Sequence, residues 1–162
     1  MKILLPVDGS EVSLEAVRHA ISLVRQGLKA RMVLANVQEP AHLYELVMTP
    51  DPGVIERASA DAARDALLKG TALLREADIP FETEIAIGDP AHTIVDIVER
   101  YNCDMVILGA RDKGSLRSAL LGSVAHEVLH AAPVPVMIIK PHDDADLEAA
   151  DKAELQGVVD ES

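Results

Sequence analysis

Residues 105–124 read Met-Val-Ile-Leu-Gly-Ala-Arg-Asp-Lys-Gly-Ser-Leu-Arg-Ser-Ala-Leu-Leu-Gly-Ser-Val. Met105 to Leu108 has the length and branching of a buried strand, and Gly122-Ser123 opens a helix with an apolar stripe. A strand, a glycine turn and a helix N-terminus in that order make an anion site. Glycine lets the backbone approach a phosphate, and the unpaired N–H groups of the first helical turn point at its charge.

Outward from this stretch the chain alternates. Strand candidates lie at residues 2–7, 30–37, 81–87, 105–108 and 134–140, with a helical pattern between each successive pair. In the first helix Val12, Val17, Ala20, Ile21 and Val24 recur at helical spacing, Ser10 is placed to cap the start, and Gly27 ends the run. The second pattern, from about residue 54 to 77, contains Gly70. A glycine there costs about 1 kcal/mol of helix propensity and points to close packing on a sheet. Asp89-Pro90, a cap followed by a proline, opens the third helix. Strands alternating with helices predict an α/β fold, a single three-layer domain with a parallel sheet covered on both faces.

Two edges of that sheet can be named. In residues 81–87, Phe81, Thr83, Ile85 and Ile87 alternate with Glu82 and Glu84, as in a half-exposed strand. The last strand carries Pro135, which cannot donate to a ladder and belongs at an edge. The apolar edge Val136-Met137-Ile138-Ile139, flanked by Lys140, predicts a two-fold homodimer through the strand from Val134 to Lys140.

Composition bounds the function. The 162 residues are 49% hydrophobic with one Phe, two Tyr and no Trp, which fits one domain with an aliphatic core. The lone Cys103 has no partner for an internal disulfide, and the N-terminal apolar run stops at Asp8, too short for a signal peptide or membrane span. Both point to a cytoplasmic protein without a membrane role. From Pro141 onward eight acids face only Lys152, a balance of −7 that leaves −5 of the overall −12 to residues 1–140. Leu147, Leu155, Val158 and Val159 are too sparse to bury much, so residues 141–162 read as an acidic tail, disordered or weakly helical, after a domain at 1–140. An acidic chain this poor in aromatics excludes nucleic-acid binding. Residues 38–53, with Pro40, Pro50, Pro52 and Gly53 around Leu43, Tyr44, Leu46 and Val47, form a long connection, either a lid or a surface loop.

The opening Ile3-Leu4-Leu5-Pro6-Val7-Asp8-Gly9-Ser10, a second strand ending at Val37, the Gly88-Asp89-Pro90 turn and the glycine stretch together resemble the universal stress protein family over residues 1–140. The resemblance implies a five-stranded parallel sheet in the order 3-2-1-4-5, the adenine nucleotide alpha hydrolase-like arrangement, and dimerisation through the last strand. It also implies a division into ATP-binding and non-binding members. That order reverses between the first and fourth strands, so a crevice opens at their carboxyl ends, flanked by Asp8 and Gly109. In ATP-binding members the resemblance puts adenine between Pro6 and Val37 and the ribose hydroxyls on Asp8. It puts the phosphates along Gly109, Arg111, Gly122, Ser123 and Val124. Asp8 has a second reading as a turn residue that competes for local N–H groups.

The phosphate motif of those members is G-x2-G-x9-G-[ST]. Gly109, Gly122 and Ser123 match it, but Asp112 stands at the second glycine. A carboxylate about 6 Å from a phosphate charge, at an effective dielectric of about 20, repels it by roughly 3 kcal/mol, about a hundredfold in affinity. Arg111 and Lys113 flank the Asp, Gly114 supplies flexibility two positions on, and Mg2+ would turn Asp112 into a ligand. Two functions therefore stand. One is an ATP-binding stress-response or signalling dimer with at most slow hydrolysis, since no general base is evident near the glycines. The other is a nucleotide-free regulatory or scaffolding protein of the same fold.

Two further motifs are weaker. Gly109-x4-Gly114-Ser115 lacks the lysine of a Walker A loop. His126-Glu127-Val128-Leu129-His130 matches H-E-x-x-H, but with Val124 and Val128 facing the core both imidazoles fall on the solvent side. Only Glu148 or Glu154 would offer a third zinc ligand. His19, His42, His92 and His142 read as unpaired surface residues.

Overall fold

Ile3, Leu4 and Leu5 are fully buried because the strand that carries them, β1 (Lys2–Pro6), has a parallel neighbour on each side. One is β2 (Arg31–Gln38), with Leu4 beside Val33; the other is β4 (Met105–Gly109), with Leu4 beside Val106. β3 (Phe81–Ile87) and β5 (Val136–Ile139) complete a five-stranded sheet in the order β3-β2-β1-β4-β5, and every pairing is parallel. The structure, a computed structural model, describes residues 1–40, 52–110 and 121–140. The acidic tail and the central part of the long connection, residues 41–51, lie outside them.

Helices cover both faces. Ala16, Val17, Ala20 and Ile21 of α1 (Glu11–Arg25) and Leu67 and Leu74 of α2 (Pro52–Glu76) pack on Ile3, Leu5, Met32, Leu34 and Ile107. On the other face Ala91, Ile94, Ile97 and Val98 of α3 (Pro90–Tyr101) and Ala125 and Val128 of α4 (Ser123–Ala131) pack on Leu4, Val33, Val106 and Leu108. Each fully buried aliphatic side chain contributes about 1.5–3 kcal/mol. Gly70 is where α2 lies closest to the sheet. A Cβ there would sit 2.7 Å from Leu34 Cδ2, which is why a poor helix former occupies the position. Among the described residues no helix is long and apolar enough to cross a membrane.

Both predicted edges are edges, with two corrections. In β3 the alternation does not separate buried apolar from exposed acidic residues: Phe81 packs on the core and Glu82 is exposed, but beyond them Ile85 is 46% and Ile87 73% exposed, while Glu84 and Ala86 are half-buried. Glu84 turns toward the end of α3, where it accepts a hydrogen bond from Tyr101 Oη at 2.7 Å and pairs with Arg100 at 3.0 Å, so the carboxylate has partners that compensate its burial. In β5 the strand begins after Pro135 and ends before Lys140. Pro135 contributes only its carbonyl, which accepts from Val106 N at 3.0 Å.

Candidate functional site

The order reversal lies between β1 and β4, and the chain leaves both strands there at their carboxyl ends. Val7 N donates to the Ala35 carbonyl at 2.8 Å, and the buried Asn36 donates from its amide to the Val7 carbonyl at 2.7 Å. Gln38 in turn donates to Asn36 Oδ1. These bonds fix the strand end, and Gly9, at φ +85°, then turns the chain sharply into α1. Asp8 is held at this corner. Its Oδ1 accepts from Ser10 N at 2.9 Å and from the Ser10 hydroxyl. Ser10 also caps α1 by accepting from Ser13 N at 3.3 Å.

The turn reading of Asp8 is therefore correct, and it does not remove the residue from the crevice, where it remains accessible. Partial desolvation pushes the Asp8 carboxyl pKa up, but the hydrogen bonds from the Ser10 side chain and backbone and from Ser13 outweigh it, so the group sits below the ordinary carboxylate value. It is ionised at neutral pH.

Gly109 ends β4 under the first turn of α1. A Cβ there would lie 2.5 Å from the Val12 carbonyl oxygen and 2.7 Å from its carbon. Close packing against α1 is thus a reason of its own for glycine here, beside the expected approach of a phosphate to its backbone. Gly122 is different. It caps α4 with extended backbone and no side-chain hydrogen bond. By contrast, Ser10 caps α1, and Asp89 Oδ1 accepts from His92 N at 3.0 Å to cap α3. Of these three N-termini, that of α4 alone is left without a side-chain acceptor.

These groups enclose a cleft of about 620 Å³. Pro6, Ala35, Val37, Ile94 and Leu108 give it apolar lining, and Asp8, Gly109, Gly122, Ser123 and Val124 line it as well. The predicted site residues are thus brought together, except that Arg111 lies outside the described residues, as do Asp112, Lys113 and Gly114. Val128 is fully buried as expected; Val124 is half-buried, packing on the same core while also lining the cleft, and Ala125 joins Val128 as a buried residue. The sequence reading missed Ser13, Glu11 and Glu39 on the rim. Glu39, directly after β2, was the one that strand position could have revealed. Glu11 is paired with Arg18 at 2.6 Å. Among the described lining residues there are carboxylates and no Lys or Arg, so a phosphate here relies on the α4 N-terminus and on whatever residues 111–120 bring.

Elsewhere, His92 is not unpaired: its Nδ1 lies 2.7 Å from Asp89 Oδ1, and that hydrogen bond, followed by the carboxylate charge, raises the imidazole pKa. His19 is exposed, while His42 and His142 lie outside the described residues, as do Glu148 and Glu154. His126 and His130 are exposed on α4 with ring centroids 4.6 Å apart. Burial raises the free Cys103 thiol to about 11, which leaves it protonated and inert.

The sequence model of the universal stress protein family matches residues 1–140. A universal stress protein of Methanocaldococcus jannaschii is 32% identical over 139 residues, covering 86% of this chain and 81% of its own length. The solved universal stress protein UspA of Lactobacillus plantarum is 29% identical with a TM-score of 0.71, covering 86% of this chain and 97% of that one. A family protein from Arabidopsis thaliana, solved with AMP bound, shares the fold at 22% identity and a TM-score of 0.66, covering 90% of this chain and 94% of that one.

Proposed function

The chain belongs to the universal stress protein family, and from that premise we propose that its cleft binds an adenine nucleotide, ATP with Mg2+ in the first instance. The observation that carries this reading is a helix N-terminus without a side-chain cap, at Gly122, facing the same cleft as an ionised carboxylate, Asp8. The slot between Pro6, Ala35, Val37 and Ile94 suits an apolar base. Asp8 suits a ribose, because a carboxylate accepts from a hydroxyl and repels a phosphate placed beside it. The first-turn N–H groups of α4 suit the phosphates. A relative of the same fold holds AMP.

Magnitudes set the order of importance. A helix N-terminus contributes about 0.3–1 kcal/mol to an exposed anion and up to about 2 in a partly buried one. That is less than the roughly 3 kcal/mol by which Asp112 opposes a nearby phosphate. Base and ribose contacts must therefore carry most of the affinity unless Mg2+, Arg111 or Lys113 offsets Asp112. Bound Mg2+ would neutralise phosphate charge, with Asp112 as the carboxylate that holds it. Hydrolysis, where it occurs, is slow and due to positioning.

The protein acts as a cytoplasmic homodimer in a stress response or in signalling. Among the described residues β5 pairs only with β4, and all four of its residues are half-buried within the single chain, which suits an edge that takes a two-fold partner. A second reading, a nucleotide-free scaffold, is favoured by Asp112 and by the acidic rim of Asp8, Glu11 and Glu39. Purification without added nucleotide, followed by denaturation and chromatography of the supernatant, tests the choice. Released adenine nucleotide supports the first reading; its absence from the parent, with release from Asp112→Gly, supports the scaffold.

A further inference from the structure

Glu127, the central acid of the H-E-x-x-H stretch, meets two ligand-bearing residues from a different helix. Asp89, the N-cap of α3, His92 in its first turn, and Glu127 on α4 each offer a ligand atom within 4.8 Å of the other two. Helix capping accounts for the contact between Asp89 and His92. It does not account for Glu127, a second carboxylate brought from α4 to within 4.8 Å of both groups, where protons on His92 and a metal ion would compete for the same pair of carboxylates.

We propose that Asp89, His92 and Glu127 form a site for a divalent transition-metal ion, Zn2+ being the test case. Two carboxylate oxygens and one imidazole nitrogen are a donor set for ions of intermediate softness, and two negative charges match a 2+ ion. Metal–ligand bonds of about 2.0–2.2 Å in a tetrahedron hold ligand atoms about 3.4 Å apart. The observed ligand atoms lie within 4.8 Å of one another on exposed side chains, so metal binding requires them to close by about 1 Å. The scaffold beneath is rigid, since Ala91, Ile94 and Val98 of α3 pack in one core with Ala125 and Val128 of α4. Pro90 and Ser123, at the starts of the same helices, line the nucleotide cleft, so a bound ion ties together two walls of that cleft.

The rival on this surface is the His126–His130 pair, one turn apart on α4 with ring centroids 4.6 Å from each other. Calorimetric titration of the full chain with ZnCl2, and in parallel with MgCl2, separates them. The site predicts that His92→Gln and Glu127→Gln each weaken Zn2+ binding at least about tenfold, with unchanged circular dichroism. The double variant His126→Asn/His130→Asn should stay within twofold of the parent, and Mg2+, which imidazole does not favour, should bind far more weakly. Full-strength Zn2+ binding by His92→Gln and Glu127→Gln, loss only in the double variant, or no Zn2+ binding by the parent would each overturn the assignment. Nucleotide binding is not the readout, so failure here leaves the cleft reading untouched.

Discussion

Replacing Gly109 by alanine places a Cβ where the first turn of α1 already stands. That atom would lie 2.5 Å from the Val12 oxygen, 2.7 Å from its carbonyl carbon and 3.0 Å from its Cγ2. Non-bonded carbons rest about 3.5–4.0 Å apart, so the turn must retreat by roughly 0.8 Å. Two of the three atoms are backbone, so no rotamer relieves the clash. Overpacking of a closely packed site costs about 1–3 kcal/mol; Gly109 itself is half-buried, but the atoms it would meet are backbone, so the upper half of that range applies. At about 2–4 °C per kcal/mol for a domain of this size, Tm should fall by about 5–10 °C. Thermal unfolding followed by circular dichroism reads this directly. Gly27→Ala is the comparison: its φ is +111° with nothing within 4 Å of the new Cβ, so it isolates backbone strain from packing. The displaced turn carries Ser10 and Ser13, which hold Asp8, so nucleotide affinity should fall with stability. A Gly109→Ala protein that melts within about 1 °C of the parent would refute the packing argument.

Two other outcomes follow from the same geometry. The lowered pKa of Asp8 means that the unfolded chain binds its proton more readily, so the stabilisation is fully present above about pH 4 and is lost as pH falls through the lower folded value. The urea midpoint of the parent relative to Asp8→Asn should therefore decline between pH 6 and pH 3; a constant difference would contradict the assignment. If the proposed dimer forms through β5, Ile138→Lys, a charge in the middle of that edge, should leave a dimeric parent monomeric by light scattering; a monomeric parent, or a dimer that persists in the variant, would contradict the β5 interface.

The fold was legible because its signals are local and mutually consistent. Ser10, Asp89-Pro90 and Gly27 punctuate helices as their chemistry requires, and Gly70 marked the close approach that Leu34 confirms. What failed depended on which neighbour a residue meets. The alternation in β3 does not set which side is buried, because Arg100 and Tyr101 reach Glu84 from the end of α3. Asn36, a buried polar residue in β2 that no local pattern singles out, secures the turn that carries Asp8. Gly109 belongs to a phosphate motif by spacing, but that its lack of a side chain is also required by Val12, 97 positions earlier in the chain, could not be read from the motif. The strand-order reversal implied by the family resemblance located the cleft. It did not reveal the acidic rim, because Glu11 and Glu39 come from segments that meet only in the folded sheet.

The central claim is that an adenine nucleotide binds between Asp8 and the start of α4. Calorimetric titration of the purified, nucleotide-free protein with ATP and Mg2+ tests it most directly, alongside Asp112→Gly and Asp8→Ala. The account predicts one site per chain, about a hundredfold tighter in Asp112→Gly wherever Mg2+ does not already offset the carboxylate, and lost in Asp8→Ala. No binding by either the parent or Asp112→Gly at millimolar ATP would contradict it.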